Sequence, residues 1–217
     1  MSEELFRSAS NRPGMLVTID GPNGSGKTSL TEVVAAELAA RGAPVYGTHQ
    51  PSAGILGQFA RDSEAALRGR GLACLVAADR HQQAEGEVAD HLAAGEIVLC
   101  DRYIESSLVL QRLDGVEVEF IVAINAGIPR PDLRIRLRAE ATTIHQRLRA
   151  REPDPSRRFE QTAGGERELA LYEEADRFLE DAYELPALVF DTTETDAVRL
   201  GAEVATLIES ERSRADG

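Results

Sequence analysis

The chain has 217 residues, of which 42% are hydrophobic and 28% charged, a globular composition sufficient for one domain with a real core. Its 24 Lys+Arg stand against 37 Asp+Glu, and a formal charge of −13 argues against general binding to nucleic acid or to anionic membrane surfaces, which need a basic face. No apolar run approaches a membrane span, the polar start has no signal-like apolar stretch, and Cys74 and Cys100 are too few for a disulfide framework, so a cytoplasmic protein is expected.

A loose start is expected as far as residue 13. Residues 15–20 form a short apolar run closed by Gly21 and Pro22, the mark of a buried strand. Helical spacing follows over 27–41, with Leu30, Val33, Val34 and Leu38 on one side, and stops at Gly42. A second strand is expected at 44–48, a loop from Gln50 to Gly54, helices over 55–68 and 72–94, and a third buried strand at 96–101. Helices over 106–113 and 118–125 precede a strand at 133–138, whose alternation of Leu and Ile with arginine suggests a place nearer a sheet edge. A helix over 142–151, a Pro/Arg/Gly-rich stretch to 165, a helix over 166–183, a strand at 187–190 and a helix over 197–212 complete the chain. Five strands alternating with helices predict an α/β fold of three layers, a five-stranded parallel sheet with helices on both faces, in a single domain over 1–217.

Gly21, Pro22, Asn23, Gly24, Ser25, Gly26, Lys27 and Thr28 fill the pattern G-x-x-x-x-G-K-[ST]. Glycines let backbone N–H groups curl round a polyphosphate, and the helix that follows points its positive end at the same charge; Ser29 sits in that first turn. Lys27 would reach the β/γ-phosphates and the Thr28 hydroxyl would ligate Mg²⁺. Lys27 is also the only lysine in the chain, the other basic residues being arginine. ATP or GTP is therefore the expected ligand, and the fold is that of a P-loop protein. Asp101, at the tip of the third strand, suits a second, water-mediated hold on Mg²⁺.

Asp20 and Gly21 before the loop, Ala77 to Arg80, Asp101 to Tyr103, Ser106 and Ser107, Gln111, and Arg130 to Leu133 together resemble bacterial thymidylate kinases in order and spacing, over almost the whole chain. The resemblance implies transfer of the ATP γ-phosphoryl group to a nucleoside 5′-monophosphate by a homodimeric enzyme. It places Arg80 and Arg102 on the acceptor phosphate, as the planar guanidinium fork suits. Asp20 and Asp101 would lie near the metal, and Asp20, Gln50, Val76, Ser107, Leu110 and Gln111 would belong to the acceptor site. The stretch over 149–165 would be a lid. It is flanked or filled by Arg147, Arg149, Arg151, Arg157 and Arg158, of which Arg149 and Arg158 are the expected catalytic pair beside Lys27 and Arg102, Arg158 matching the family pattern best. Pro153 and Pro155 would keep the lid out of helix.

The departures from the family pattern gather in the acceptor pocket. Asn23 stands for an acid in the phosphate loop, His49-Gln50-Pro51 for Arg-Glu-Pro, Val76 for a stacking aromatic, Leu110 for a tyrosine and Arg112 for a glycine. Phosphate-handling residues are kept while base- and sugar-reading ones change. That implies an altered acceptor, a pyrimidine or modified pyrimidine nucleotide, against the alternatives of an ordinary thymidylate kinase, a nucleotide-binding regulator, or a kinase of a non-nucleotide alcohol. His49, His81, His91 and His145 show no metal-ligand spacing with the cysteines.

Overall fold

The structure is a computed structural model that describes residues 4–7, 12–151, 157–161, 163–195 and 197–215. In chain order the elements are β1 (Phe6–Arg7), β2 (Met15–Asp20), α1 (Lys27–Ala40), β3 (Val45–His49), α2 (Ile55–Ser63), α3 (Gly69–Glu85), α4 (Glu87–Ala93) and β4 (Ile97–Asp101). There follow α5 (Ile104–Leu113), α6 (Val118–Ile124), β5 (Ile128–Pro129), β6 (Leu133–Arg138), α7 (Ala141–Arg149), α8 (Arg158–Gln161), α9 (Glu166–Tyr183), β7 (Ala187–Asp191) and α10 (Ala197–Ala215).

The five expected strands form one parallel sheet in the order β3-β4-β2-β6-β7. Period-two alternation divides each central strand between the two faces. Val17, Ile19, Ile97, Leu99, Ile135 and Leu137 join Leu30, Val34 and Leu38 of α1 and Leu200, Val204 and Ile208 of α10 on one face. Leu16, Val98 and Cys100 point the other way, to Ile104 and Leu108 of α5 and Leu171 and Ala175 of α9.

Three expectations are corrected. Strand β6 is not at an edge: β2 and β7 flank it. Its arginines alternate because they face α5 and α9, where Arg134 bonds Glu105 at 2.5 Å and Asp176 at 2.9 Å, and Arg136 bonds Glu173 at 2.7 Å. Burial is thus met by ion pairing, and the period marks a face of the sheet rather than exposure to water. The expected helix over 72–94 is two helices, because Gly86 leaves helical geometry at φ −104° and ψ −106°. The start is not loose throughout: Leu5 and Phe6 are buried, Phe6 and Arg7 pair in parallel with Ile128 and Pro129, and the Phe6 ring meets Tyr183 edge-on at 5.4 Å.

Strand β2 is central, so the phosphate loop leaves the middle of the sheet at its carboxyl end, where open α/β sheets place their ligands. A cavity of about 830 Å³ opens there, walled by the phosphate loop, the ends of β3 and β4, and α2, α3, α5 and α8.

Candidate active site

The phosphate loop is tied down by its carbonyls. Tyr172 of α9 donates to Gly21 O at 2.7 Å, Lys27 Nζ to Pro22 O at 2.8 Å, and Thr192 to Ser25 O at 2.8 Å. Arg147 braces the same loop, donating to Thr192 O at 2.6 Å and reaching Gly24 O at 3.4 Å. The N-terminus of α1 has neither a side-chain cap nor an acid in its first turn, which leaves its N–H groups for an anion. Gly21 sits at φ +146° with Leu137 O only 2.4 Å from where a Cβ would stand, whereas Gly26 has open space and is required only by its φ of +96°.

Lys27 is fully buried, and its pKa is lowered to about 7 by that burial and then by Arg102, against the pull of Asp101, Asp20 and Glu168. An amine so placed is poised to take up a proton from solvent when a polyphosphate binds beside it. Thr28 Oγ1 donates to Asp101 Oδ2 at 2.7 Å, while Asp101 Oδ1 is buried with no hydrogen-bond partner among the described residues. A hydroxyl and an orphaned carboxylate oxygen are the hard donors that Mg²⁺ accepts beside its waters and phosphates, so the residues fit that ion.

Arg102 follows β4 with a left-handed backbone, φ +72°. The end of β2 holds it there: Arg102 N donates to Ile19 O at 2.9 Å, Tyr103 N to Asp20 Oδ2 at 2.8 Å, and Ser106 Oγ to Asp20 Oδ1 at 2.5 Å. The guanidinium then donates to Ser106 Oγ at 2.8 Å and to Asn23 Oδ1 of the phosphate loop. Asp20 does not line the cavity, and both its oxygens are engaged in this turn. These bonds make Asp20 a support for the turn that carries Arg102.

Arg80 is buried without a carboxylate in salt-bridge contact among the described residues. Nε donates to Gln50 Oε1 at 2.7 Å and the terminal nitrogens to Asn125 Oδ1, to Ser107 Oγ at 2.8 Å and to Tyr103 O at 3.3 Å. These four bonds use all but one of the five guanidinium N–H groups. A two-pronged grip on a phosphate would break this set of bonds. Leu72, Val76 and Arg80, one turn apart on α3, face Ser107, Leu110 and Gln111 of α5 across the cavity. Asp79 fastens the intervening loop, accepting from Ser52 N at 2.7 Å and Ser52 Oγ at 2.5 Å, next to a cis Gln50–Pro51 bond. Gln111 Oε1 is buried and unpartnered among the described residues.

Of the expected site residues, the cavity brings together Asn23, Gly24, Gly26, Lys27, Thr28, Gln50, Val76, Arg80, Asp101, Arg102, Ser107, Leu110 and Gln111. Gly21, Ser25 and Ser29 shape the loop without lining the cavity. Neither Arg149 nor Arg158 reaches it: Arg149 is exposed on α7, and Arg158 forms a bidentate pair with Asp114 at 2.6 and 2.7 Å. Arg151 and Arg157 line the cavity instead. Pro153 and Pro155 lie outside the described residues. Sequence reasoning also missed Glu168 and Tyr172, a helical turn apart on the buried face of α9. Tyr172 holds Gly21, and Glu168 feels both Arg102 and Lys27, although burial raises its pKa. Two polar residues at i, i+4 inside an apolar stripe were the available signal.

A family model described as thymidylate kinase matches residues 19–187, from the end of β2 to the start of β7. The chain belongs to the thymidylate kinase family. It is 39% identical to a probable thymidylate kinase of Pyrobaculum calidifontis over 143 residues, 64% of this chain and 71% of that one. It is 35% identical to the thymidylate kinase of Xanthomonas campestris pv. campestris over 161 residues, 73% of this chain and 70% of that one. The fold is shared with the thymidylate kinase of Candida albicans, at a TM-score of 0.72 and 19% identity over 94% of each chain. The protein is a nucleoside monophosphate kinase of a family that uses ATP as phosphate donor, so the regulator and alcohol-kinase alternatives fall away. No helix among the described residues is long and apolar enough to cross a membrane.

Proposed function

We propose that this kinase phosphorylates a 4-keto pyrimidine nucleoside 5′-monophosphate, dTMP before others, with Mg²⁺·ATP as donor. The observation that carries this is Arg80. A guanidinium donates and never accepts, so its remaining N–H calls for an acceptor on the ligand, a part that a base carbonyl oxygen can fill. Gln111 Oε1, orphaned on the same cavity wall, calls for an N–H beside that carbonyl. The 4-keto, 3-imino edge of thymine or uracil supplies both, whereas cytosine presents the reverse order. Among the modified pyrimidines that the sequence left open, those built on cytosine fit this pair poorly. The aliphatic Val76 and Leu110 then tune affinity without changing the donor–acceptor pattern.

In this reading the phosphate loop and Lys27 hold the ATP phosphates, and Arg102, anchored to the loop through Asn23, takes the acceptor phosphate. Thr28 and Asp101 would hold Mg²⁺, which when bound supplies charge neutralisation on the phosphate oxygens. Arg151 and Arg157 are the lid cations on the cavity side. The chain's part is positioning and charge neutralisation, with no covalent intermediate. A homodimer is the family's implication, and light scattering after gel filtration checks it.

ADP release with Mg²⁺·ATP against dTMP, dUMP, dCMP, UMP and CMP tests the proposal. A site built to pair buried polar groups rejects the mismatched edge by on the order of 10⁴-fold in kcat/KM, so dTMP and dUMP should far exceed dCMP and CMP. Preference for a cytidylate would refute it.

A further inference from the structure

The short helix α8 is fastened to the acceptor side of the cavity at two independent points. Arg158 grips Asp114 with two parallel bonds, and its Nε reaches Glu64 O at 3.3 Å. The Phe159 N–H donates to Glu64 Oε1 at 2.8 Å. Asp114 caps α5 one turn beyond Gln111 and also receives the Gly69 N–H, at 3.3 Å, where α3 begins. Glu64 caps α2 and lines the cavity. The ends of α2 and α5 therefore meet α8 directly, and the start of α3 joins them through Asp114. Asp114 is almost fully buried and Arg158 is mostly so, which makes the pair a desolvated, bidentate contact rather than a screened surface ion pair. The residue that the clamp delivers is Phe159. It is 6% exposed, lines the cavity, and its ring carries the Arg158 guanidinium at 4.2 Å. The facing residues of α3 are aliphatic, Leu72 and Val76, so Phe159 and Tyr103 are the aromatic side chains on the cavity wall among the described residues.

We infer that Arg158 is a positioning residue, not a transition-state group: with Asp114 and Glu64 it clamps α8 to the acceptor wall, so that Phe159 roofs the acceptor site. An aromatic face supplied from α8 replaces the one α3 lacks, and it is present only while the clamp is closed. The consequence for turnover rests on the acceptor reading above; the clamp itself does not.

Two measurements separate the possibilities. Hydrogen exchange at the Phe159 amide in the unliganded protein needs no substrate. Arg158→Ala, Asp114→Asn and Glu64→Ala should each speed it at least tenfold, and Arg158→Ala with Asp114→Asn together should add nothing beyond the larger single effect. In steady state, these variants and Phe159→Ala should raise the acceptor KM about tenfold, leaving the ATP KM within about threefold. Exchanging the partners, Arg158→Asp with Asp114→Arg, should recover part of the loss. Unchanged exchange in all three variants would overturn the clamp. A kcat loss on the order of 10³-fold in Arg158→Ala, with acceptor KM unchanged and Asp114→Asn silent, would overturn it in favour of a transition-state role for Arg158. If no nucleotide in the panel turned over, the acceptor reading would fall while the exchange result still decided the clamp.

Discussion

Replacing Asp20 probes how the sheet positions Arg102. Its two oxygens accept the Tyr103 N–H and the Ser106 hydroxyl at 2.8 and 2.5 Å in a site where Asp20 is 1% exposed. Asp20→Ala orphans both donors, each at about 1–3 kcal/mol. It also removes the support for the left-handed backbone of Arg102, a conformation that costs about 1–2 kcal/mol on its own. The expected loss of stability is about 3–8 kcal/mol for Asp20→Ala, and about 1–3 kcal/mol for Asp20→Asn, which keeps one acceptor oxygen. Because Asp20 does not line the cavity, the catalytic effect should pass through Arg102. Asp20→Asn should lower kcat on the order of 10²-fold, as expected for a displaced catalytic group, and leave ATP affinity nearly unchanged. Denaturant melts and steady-state kinetics on both variants measure this. Wild-type stability together with wild-type kcat in Asp20→Asn would refute the reasoning, and so would a selective loss of ATP binding.

The lowered pKa of Lys27 has a consequence with a definite sign. Between about pH 7 and 10.5 the unfolded lysine keeps a proton that the folded one has lost, so stability of the unliganded chain should rise with pH across that window. A polyphosphate that restores the charge should draw a proton in: close to one per ATP bound at pH 8 and very little at pH 6, read by calorimetry in buffers of different ionisation enthalpy. Lys27→Met should abolish the uptake. Asp101→Asn should raise the Mg²⁺ concentration needed for half-maximal rate by about 10–100-fold, measured by magnesium titration after chelation; an unchanged requirement would remove Asp101 from the metal.

Much of the architecture was legible because it follows from local rules. Glycine, lysine and threonine at fixed spacing between an apolar run and a helical period specify a phosphate loop wherever they occur. Alternating strands and helices leave few topologies other than a covered parallel sheet. The loop and the Asp101 tip could be named in one dimension for that reason, whereas the expected acceptor positions on α3 and α5 came only from the resemblance to thymidylate kinases.

What the sequence could not express was how side chains from distant segments share their partners. Arg134 and Arg136 read as residues near an edge until Glu105, Glu173 and Asp176 were seen to meet them. Arg80 read as a phosphate ligand until Gln50, Asn125, Ser107 and the Tyr103 carbonyl were found to occupy most of its donors. Asp20 gives both its oxygens to Tyr103 and Ser106, and Arg158 pairs with Asp114, so the polar atoms of each are already satisfied by residues far away in the chain. Residue type determines what a group can donate or accept, and the sequence carries that in full. Which of those bonds a neighbour has already taken depends on contacts between segments tens of residues apart, and only the tertiary structure decides it.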